Sequence, residues 1–319
     1  MQDETGLDPG SIKGSAEEFV PGVARVEIVF VNAYLVGAPG GPWALVDTGL
    51  PLLSAPIIRR AVAKRYGDGA RPEAVVLTHG HFDHAGMALD LGRGWDVPIY
   101  AHPLEMPYLT GKSDYPPQDS TMGGAIAQMA RLFPHGGYDF GDRLTPLPTD
   151  GDAPGLPNWT FYHTPGHSPG HVSLFRKTDG TLLAGDALTT MNMDSWTSQL
   201  TREREFHRPP APFTPDWEAA RRSVHTLAGL EPSTVAAGHG LPISGPNVAE
   251  DLRSYAARFT PPSTGRYVGR SPRADEEGVR ELPPPVPDPL PMKVAVGATM
   301  AVAVGAVGTA LARRRGQRR

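Results

Sequence analysis

The chain has 319 residues, 39% of them hydrophobic and 20% charged, enough for one large domain or two small ones. It contains no cysteine, which excludes disulfide scaffolds, thiolate zinc sites, iron–sulfur clusters and cysteine nucleophiles. The net charge of −4 divides into −9 over residues 1–258 and +5 over residues 259–319, and so acidic a body disfavours a nucleic-acid partner.

Residues 1–20 are acidic, lack the apolar run of a secretory signal and are expected to form a flexible N-terminus. The short β-branched runs Val23–Val31, Ala33–Val36 and Trp43–Val46 predict strands. Leu52–Tyr66 places apolar residues at helical spacing opposite several Arg and Lys, and predicts a helix. Strands follow at Ala74–Leu77 and Pro98–Ala101, then a weakly helical, Met-rich stretch over 103–135. Four more strands are predicted at Leu144–Leu147, Trp159–His163, His171–Arg176 and Leu182–Ala184. Asp216–Gly229 reads as a helix, Thr234–Ala237 as a strand and Val248–Phe259 as a last helix. This order predicts an α/β sandwich with its sheets inside, over residues 21–258.

Residues 259–291 are rich in proline and poor in apolar residues, and are expected to be a linker. Val294–Leu311 then runs eighteen residues without a charge and is followed by five arginines, which predicts a transmembrane or membrane-bound helix over 292–312 and a basic tail over 313–319. Gly297, Ala301, Gly305 and Thr309 recur at the spacing that lets such helices self-associate. The arginines favour a cytoplasmic tail, whereas the lack of an export signal favours a cytoplasmic main domain. The second argument is given the greater weight, with membrane lipid as a partner through residues 292–312.

Eleven histidines are present, and their spacing carries the strongest signal. Thr78-His79-Gly80-His81-Phe82-Asp83-His84 follows the strand at 74–77 directly. Three imidazoles and a carboxylate in six residues make a concentrated set of metal ligands, spaced so that one loop can serve two ions. His163, His167 and His171 recur every fourth residue, but two Pro-Gly pairs forbid a helix, so only some of these rings can converge. Asp186 and His239 each follow an apolar strand and a glycine, which lets backbone approach a site closely.

His79-x-His81-x-Asp83-His84, then His167, Asp186 and His239, resemble the motifs of the metallo-β-lactamase superfamily in that order, and Val46-Asp47-Thr48-Gly49 resembles its early acidic motif. The resemblance spans roughly residues 20–258. It implies an αββα sandwich with a dinuclear site at one edge of the sheets. One metal would be held by His79, His81 and His167, and the other by Asp83, His84 and His239. Asp186 would bridge them together with a hydroxide, and Asp83 would also act in catalysis by orienting the nucleophile and passing a proton to the leaving atom. Asp47 and His171 match positions that orient ligands from behind, while His163 matches none. The cofactors implied are two divalent ions, zinc foremost, with manganese or iron as alternatives.

Departures from well-known branches narrow the expectation. The lack of Cys together with the presence of Asp186 disfavours antibiotic hydrolysis, and His81 with no flavodoxin-like extension disfavours a flavodiiron protein. No room remains for the helical domain of the nucleic-acid-processing branch, nor are the glutathione-binding residues of a glyoxalase II recognisable. A small-molecule ester, thioester, lactone or phosphoester is therefore the expected substrate. The alternatives are an iron oxygenase of the persulfide dioxygenase type and a membrane-tethered metal-binding module without activity. Specificity is expected from residues 103–140 and 188–214. Met106, Tyr108, Tyr115, Met122, Met129 and Phe133 would form an apolar lid there, with Trp196, Phe206 and His207 as the facing wall, or they pack as extra helices. His102, His135, His207 and His225 read as ordinary surface or loop residues.

Overall fold

A computed structural model describes residues 15–134, 136 and 138–287. The chain divides into a unit ending at Pro283 and a second beginning at Pro284. The expected helix over 292–312, the basic tail, residues 1–14 and His135 lie outside the described residues. Among those described, no helix is long and apolar enough to cross a membrane.

Two sheets face each other. The first orders its seven strands as they occur in the chain: β1 (Ala16–Val20), β2 (Val23–Ile28), β3 (Val31–Val36), β4 (Ala44–Val46), β5 (Ala74–Val76), β6 (Ile99–Ala101) and β7 (Leu144–Pro146). The second runs β12 (Ile243–Ser244), β11 (Thr234–Ala237), β10 (Thr181–Gly185), β9 (Val172–Arg176) and β8 (Trp159–His163). The helices are α1 (Ser54–Tyr66), α2 (Phe82–Ala85), α3 (Ala88–Trp95), α4 (Met106–Leu109), α5 (Ala125–Ala130), α6 (Trp196–Thr201), α7 (Trp217–Gly229) and α8 (Val248–Ala257).

The layers follow from period-two alternation. Val46, Ala74 and Val76 of the first sheet meet Val172, Leu174, Leu183 and Ala236 of the second in the central core. Their neighbours Leu45, Val75 and Leu77 point the other way and pack under Ile58, Ala61 and Val62 of α1 and Leu91 of α3. On the far side, Leu182, Ala184, Val235 and Ala237 pack under Val224 and Leu227 of α7 and Leu252 of α8. Strands buried on both faces explain why their sequences read as unbroken apolar runs. The helices supply stripes at i, i+3, i+4 and i+7 spacing. Asp216 caps α7, its carboxylate accepting from the Ala219 amide at 2.9 Å, a contact of a kind that contributes about 1 kcal/mol. The outcome is the αββα sandwich.

Three expectations need correction. Residues 16–20 are not a loose leader but an edge strand, paired antiparallel with β2. Its acidic sequence hides it, because Glu17 and Glu18 face outward onto Arg25 and Arg65. The predicted strand Val23–Val31 breaks at Val29, whose φ of 59° turns the chain into β3. Residues 259–283 are not a bare linker: they belong to the first unit and carry a hairpin, β13 (Arg273–Asp275) with β14 (Gly278–Glu281). Tyr267 is 2% exposed and donates its hydroxyl to the Pro117 carbonyl at 2.7 Å, and the Val279 amide donates to Ser113 Oγ at 3.1 Å. A few residues thus dock a proline-rich segment that has no core of its own.

Candidate metal centre

Four parallel-paired strands end at one edge of the sandwich and aim their following residues into one space. β4 leads to Asp47, β5 to the His79–His84 run, β10 to Asp186 and β11 to His239. His167 comes from the Pro-Gly loop between β8 and β9. That loop is tied to the first sheet where the Val172 amide donates to the Thr78 carbonyl at 2.9 Å. Phe82–Ala85 forms a helical turn, so the adjacent Asp83 and His84 point about 100° apart.

The side chains converge in two triplets, His79–His81–His167 and Asp83–His84–His239, with a third group, His79–His84–Asp186, spanning them. In each, one potential ligand atom per residue lies within 4.8 Å of the others. Asp186 stands between them. Its Oδ2 lies 3.4 Å from His167 Nε2 and 3.1 Å from His239 Nε2, while Oδ1 lies 3.5 Å from His84 Nε2. All seven side chains are buried except His81, which is half-buried.

Hydrogen bonds on the outer side set the ring tautomers. Thr78 Oγ1 donates to Asp47 Oδ2 and so accepts from His79 Nδ1, at 3.0 Å. His84 Nδ1 donates to Asp47 Oδ2 at 2.8 Å. Thr214 donates to the Pro210 carbonyl and accepts from His167 Nδ1 at 3.1 Å. His239 Nδ1 donates to the Phe30 carbonyl at 2.8 Å. Four rings therefore turn Nδ1 outward and Nε2 inward; burial would lower His84 and His239, yet the Asp186 carboxylate beside them raises both above the ordinary histidine value. His81 turns the other way, with Nδ1 2.9 Å from His167 Nε2.

Burial is the largest influence on the imidazoles. It lowers His79 and His167 well below the ordinary histidine value and brings His81 down to about 3, aided by neighbouring rings. Neutral rings are the form that offers a lone pair. Burial would raise Asp186, yet the His239 and His84 rings hold it well below the usual carboxylate range. His79 Nε2, His84 Nε2 and Asp186 Oδ1 are buried without a hydrogen-bond partner among the described residues. Orphaned buried polar atoms are costly, and here all three point into one nitrogen- and oxygen-lined space. Such a donor set fits divalent cations.

The supports are tightly built. Asp47, with φ of 59°, accepts from the Thr78 amide at 2.8 Å as well as from His84. His171 Nε2 accepts from the Asp186 amide at 2.8 Å, and its Nδ1 faces Thr164 Oγ1 at 2.9 Å, so it fixes the backbone of Asp186 rather than joining the triplets. Gly238 must lack a side chain, because a Cβ there would lie 2.1 Å from Asp186 Oδ1. Gly185, at φ +53°, has no room either: its Cβ would lie 2.6 Å from His171 Nε2. His163 instead donates to the Pro169 carbonyl and stacks on His102 with ring centres 4.2 Å apart.

One residue escaped the sequence analysis. Glu105 is fully buried and accepts four hydrogen bonds. Gly80 N and the Tyr115 hydroxyl donate to Oε2, while Ser168 Oγ and Gly170 N donate to Oε1. It clamps the His79–His84 loop to the His167 loop. Burial pushes its pKa up, and the four donors work against that rise. Its only mark in the sequence is isolation, as the one acidic residue between Asp96 and Asp114.

The cleft over the site also differs from expectation. It is walled by Phe30, Phe82, Ile126, Phe133, Met193 and Phe213, so of the expected lid and wall residues Phe133 alone lines it. Tyr108 is fully buried and stacks on Tyr115, Phe206 packs toward Tyr255 beneath the second sheet, and Trp196 is 58% exposed. His207 pairs through its backbone with Thr189.

A family model described as the metallo-beta-lactamase superfamily matches residues 26–239. Probable metallo-hydrolase YflN of Bacillus subtilis (strain 168) is 42% identical over 250 residues, covering 77% of this chain and 94% of its own. Probable metallo-hydrolase YybB of the same organism is 31% identical over 196 residues, covering 61% of this chain and 74% of its own. A solved beta-lactamase domain protein from Burkholderia ambifaria superposes with a TM-score of 0.52 at 25% identity, covering 77% of this chain and 75% of that one.

Proposed function

The chain belongs to the metallo-beta-lactamase superfamily, and from that premise we propose that it is a dinuclear metal-dependent hydrolase of a small-molecule ester, thioester, lactone or phosphoester. The observation that carries the proposal is the pair of triplets with Asp186 between them, their nitrogen and oxygen atoms directed into one buried space. His79, His81 and His167 would hold one divalent ion, zinc foremost with manganese or iron as alternatives, and Asp83, His84 and His239 the other. When bound, such ions supply Lewis acidity and an activated water. The remaining work falls to the protein. Asp47, Thr78, Thr214 and the Phe30 carbonyl hold four rings in the ligating tautomer. Burial raises the Asp83 carboxyl above its ordinary value, which suits a group that takes and returns a proton at its free oxygen. A complete second triplet supports two ions rather than the single iron of an oxygenase.

Metal content by mass spectrometry of the full chain, purified without added metal or chelator, tests the reading. About two divalent ions per chain are expected, falling together with activity in His84→Ala and Asp186→Ala. Full activity in either variant overturns it. As part of the same proposal, residues 292–312 attach the enzyme to membrane lipid and pair with their counterpart in a second copy. Recovery of the full chain in the soluble fraction of cells, equal to that of a chain ending at residue 291, would overturn that part.

A further inference from the structure

Resting on the hydrolase reading, we infer that the substrate is a carboxylic ester, thioester or lactone whose acyl arm is uncharged and apolar, seated between Phe133 and the rings around it. The cleft above the site is narrow, spanning about 280 Å³ only when the open solvent at its mouth is included. Its floor is His81, Asp83, His167, Asp186 and His239, and its walls are aromatic or aliphatic. Phe133 is the hub: its ring centre lies 4.8 Å from Phe82 and 6.2 Å from both Phe30 and Phe213. Phe30 stacks on the His239 ring at 6.0 Å, and Phe213 lies 6.0 Å from His81, so the aromatic wall abuts both triplets. Val29 and Leu132, next in sequence to Phe30 and Phe133, are exposed apolar residues that extend this character outward.

Charge narrows the class further. No Lys or Arg is among the described residues lining the cleft. An adjoining cavity shares Phe30 and contains Arg25 and Arg202, but Glu17 and Glu27 pair with the first and Glu27 with the second. Arg208 is held by Asp194 at 2.6 Å. Bound metals could meet the charge of a phosphoester, but the groups beyond its phosphorus would meet hydrocarbon. A glutathione thioester would bring carboxylates to the same wall without a cation to receive them. An acyl chain loses nothing there, since each buried methylene contributes about 0.8 kcal/mol.

The test is kcat/KM of the metal-loaded full chain on p-nitrophenyl acetate, butyrate and hexanoate, beside bis(p-nitrophenyl) phosphate and a glutathione thioester. We expect a rise of at least about 60-fold from acetate to hexanoate, from roughly fourfold for each of the first three added methylenes with the fourth contributing less. Phe133→Ala, at a half-buried position that tolerates truncation, should cut that ratio about tenfold, mainly through KM. A flat chain-length series, or preference for the phosphodiester or the glutathione thioester, overturns this inference and leaves the hydrolase reading standing. Turnover of none of the five, nor of an alkyl-substituted lactone, by protein carrying its metals overturns the hydrolase reading itself.

Discussion

Glu105→Gln is the most informative single change, because it keeps the shape of the side chain and alters one atom. Each carboxylate oxygen receives one fixed backbone N–H and one rotatable hydroxyl. Gly80 N donates to Oε2 at 2.9 Å and Gly170 N to Oε1 at 2.7 Å, each beside a hydroxyl from Tyr115 or Ser168. A glutamine must turn its NH₂ toward one of those amides, donor against donor, whichever way it flips. The hydroxyl on that side can rotate to accept, and the Gly80 amide keeps the Tyr115 hydroxyl as an acceptor at 3.1 Å, so the NH₂ turns to the Gly80 side. The surviving bonds lose their ionic character and the Gly80 amide loses one of its two acceptors, for a total of about 1–3 kcal/mol. At roughly 2–4 °C per kcal/mol for a domain of this size, Tm should fall by about 3–10 °C. Since the clamp joins the loops carrying His79, His81 and His167, metal affinity should fall about 10–100-fold, as for other groups behind metal ligands. Thermal melts of metal-free protein isolate the first effect, and competition with a chelating dye reads the second. A Tm within 2 °C of the parent with unchanged affinity would refute the clamp.

Gly238→Ala places a methyl 2.1 Å from Asp186 Oδ1, so the carboxylate must move. Metal stoichiometry should drop below that of the parent while the far-ultraviolet spectrum stays unchanged. Asp47→Asn can accept from the Thr78 amide only by turning NH₂ toward His84, which then carries its proton on Nε2, inside the site. A 10–100-fold loss of metal affinity is expected by dye competition, and unchanged affinity would show that Asp47 does not set that tautomer. His102 is brought down to about 4 by burial and by its stacking partner His163. Below pH 6.5 the unfolded chain takes up a proton that the folded protein refuses, so this residue's contribution to stability is lost as pH falls from about 6.5 to about 4. Urea midpoints of the parent should fall more steeply over that window than those of His102→Asn, and parallel curves would remove His102 from the account.

The inward-facing side chains were largely legible in the chain itself. Metal chemistry admits few residue types, so the His79–His84 run, His167, Asp186 and His239 stand out wherever they lie. The glycine before Asp186 and the one before His239 mark the close approach that the structure shows at Gly185 and Gly238. Period-two and helical spacing likewise fixed the layers, because burial imposes a repeat that sequence cannot hide. The rest was decided by contacts between distant segments. Glu105 gains its role only when Gly80 and Gly170 arrive from two other loops. Phe30 reaches the cleft because β2 and β3 turn beside His239, 209 residues away along the chain. The hairpin at 273–281 docks through Ser113, 166 residues before its partner Val279. A local pattern reports whether a residue is buried and in what periodicity. Which far segment buries it is fixed only when the sheets close, and that closure made the clamp, the aromatic wall and the docked tail.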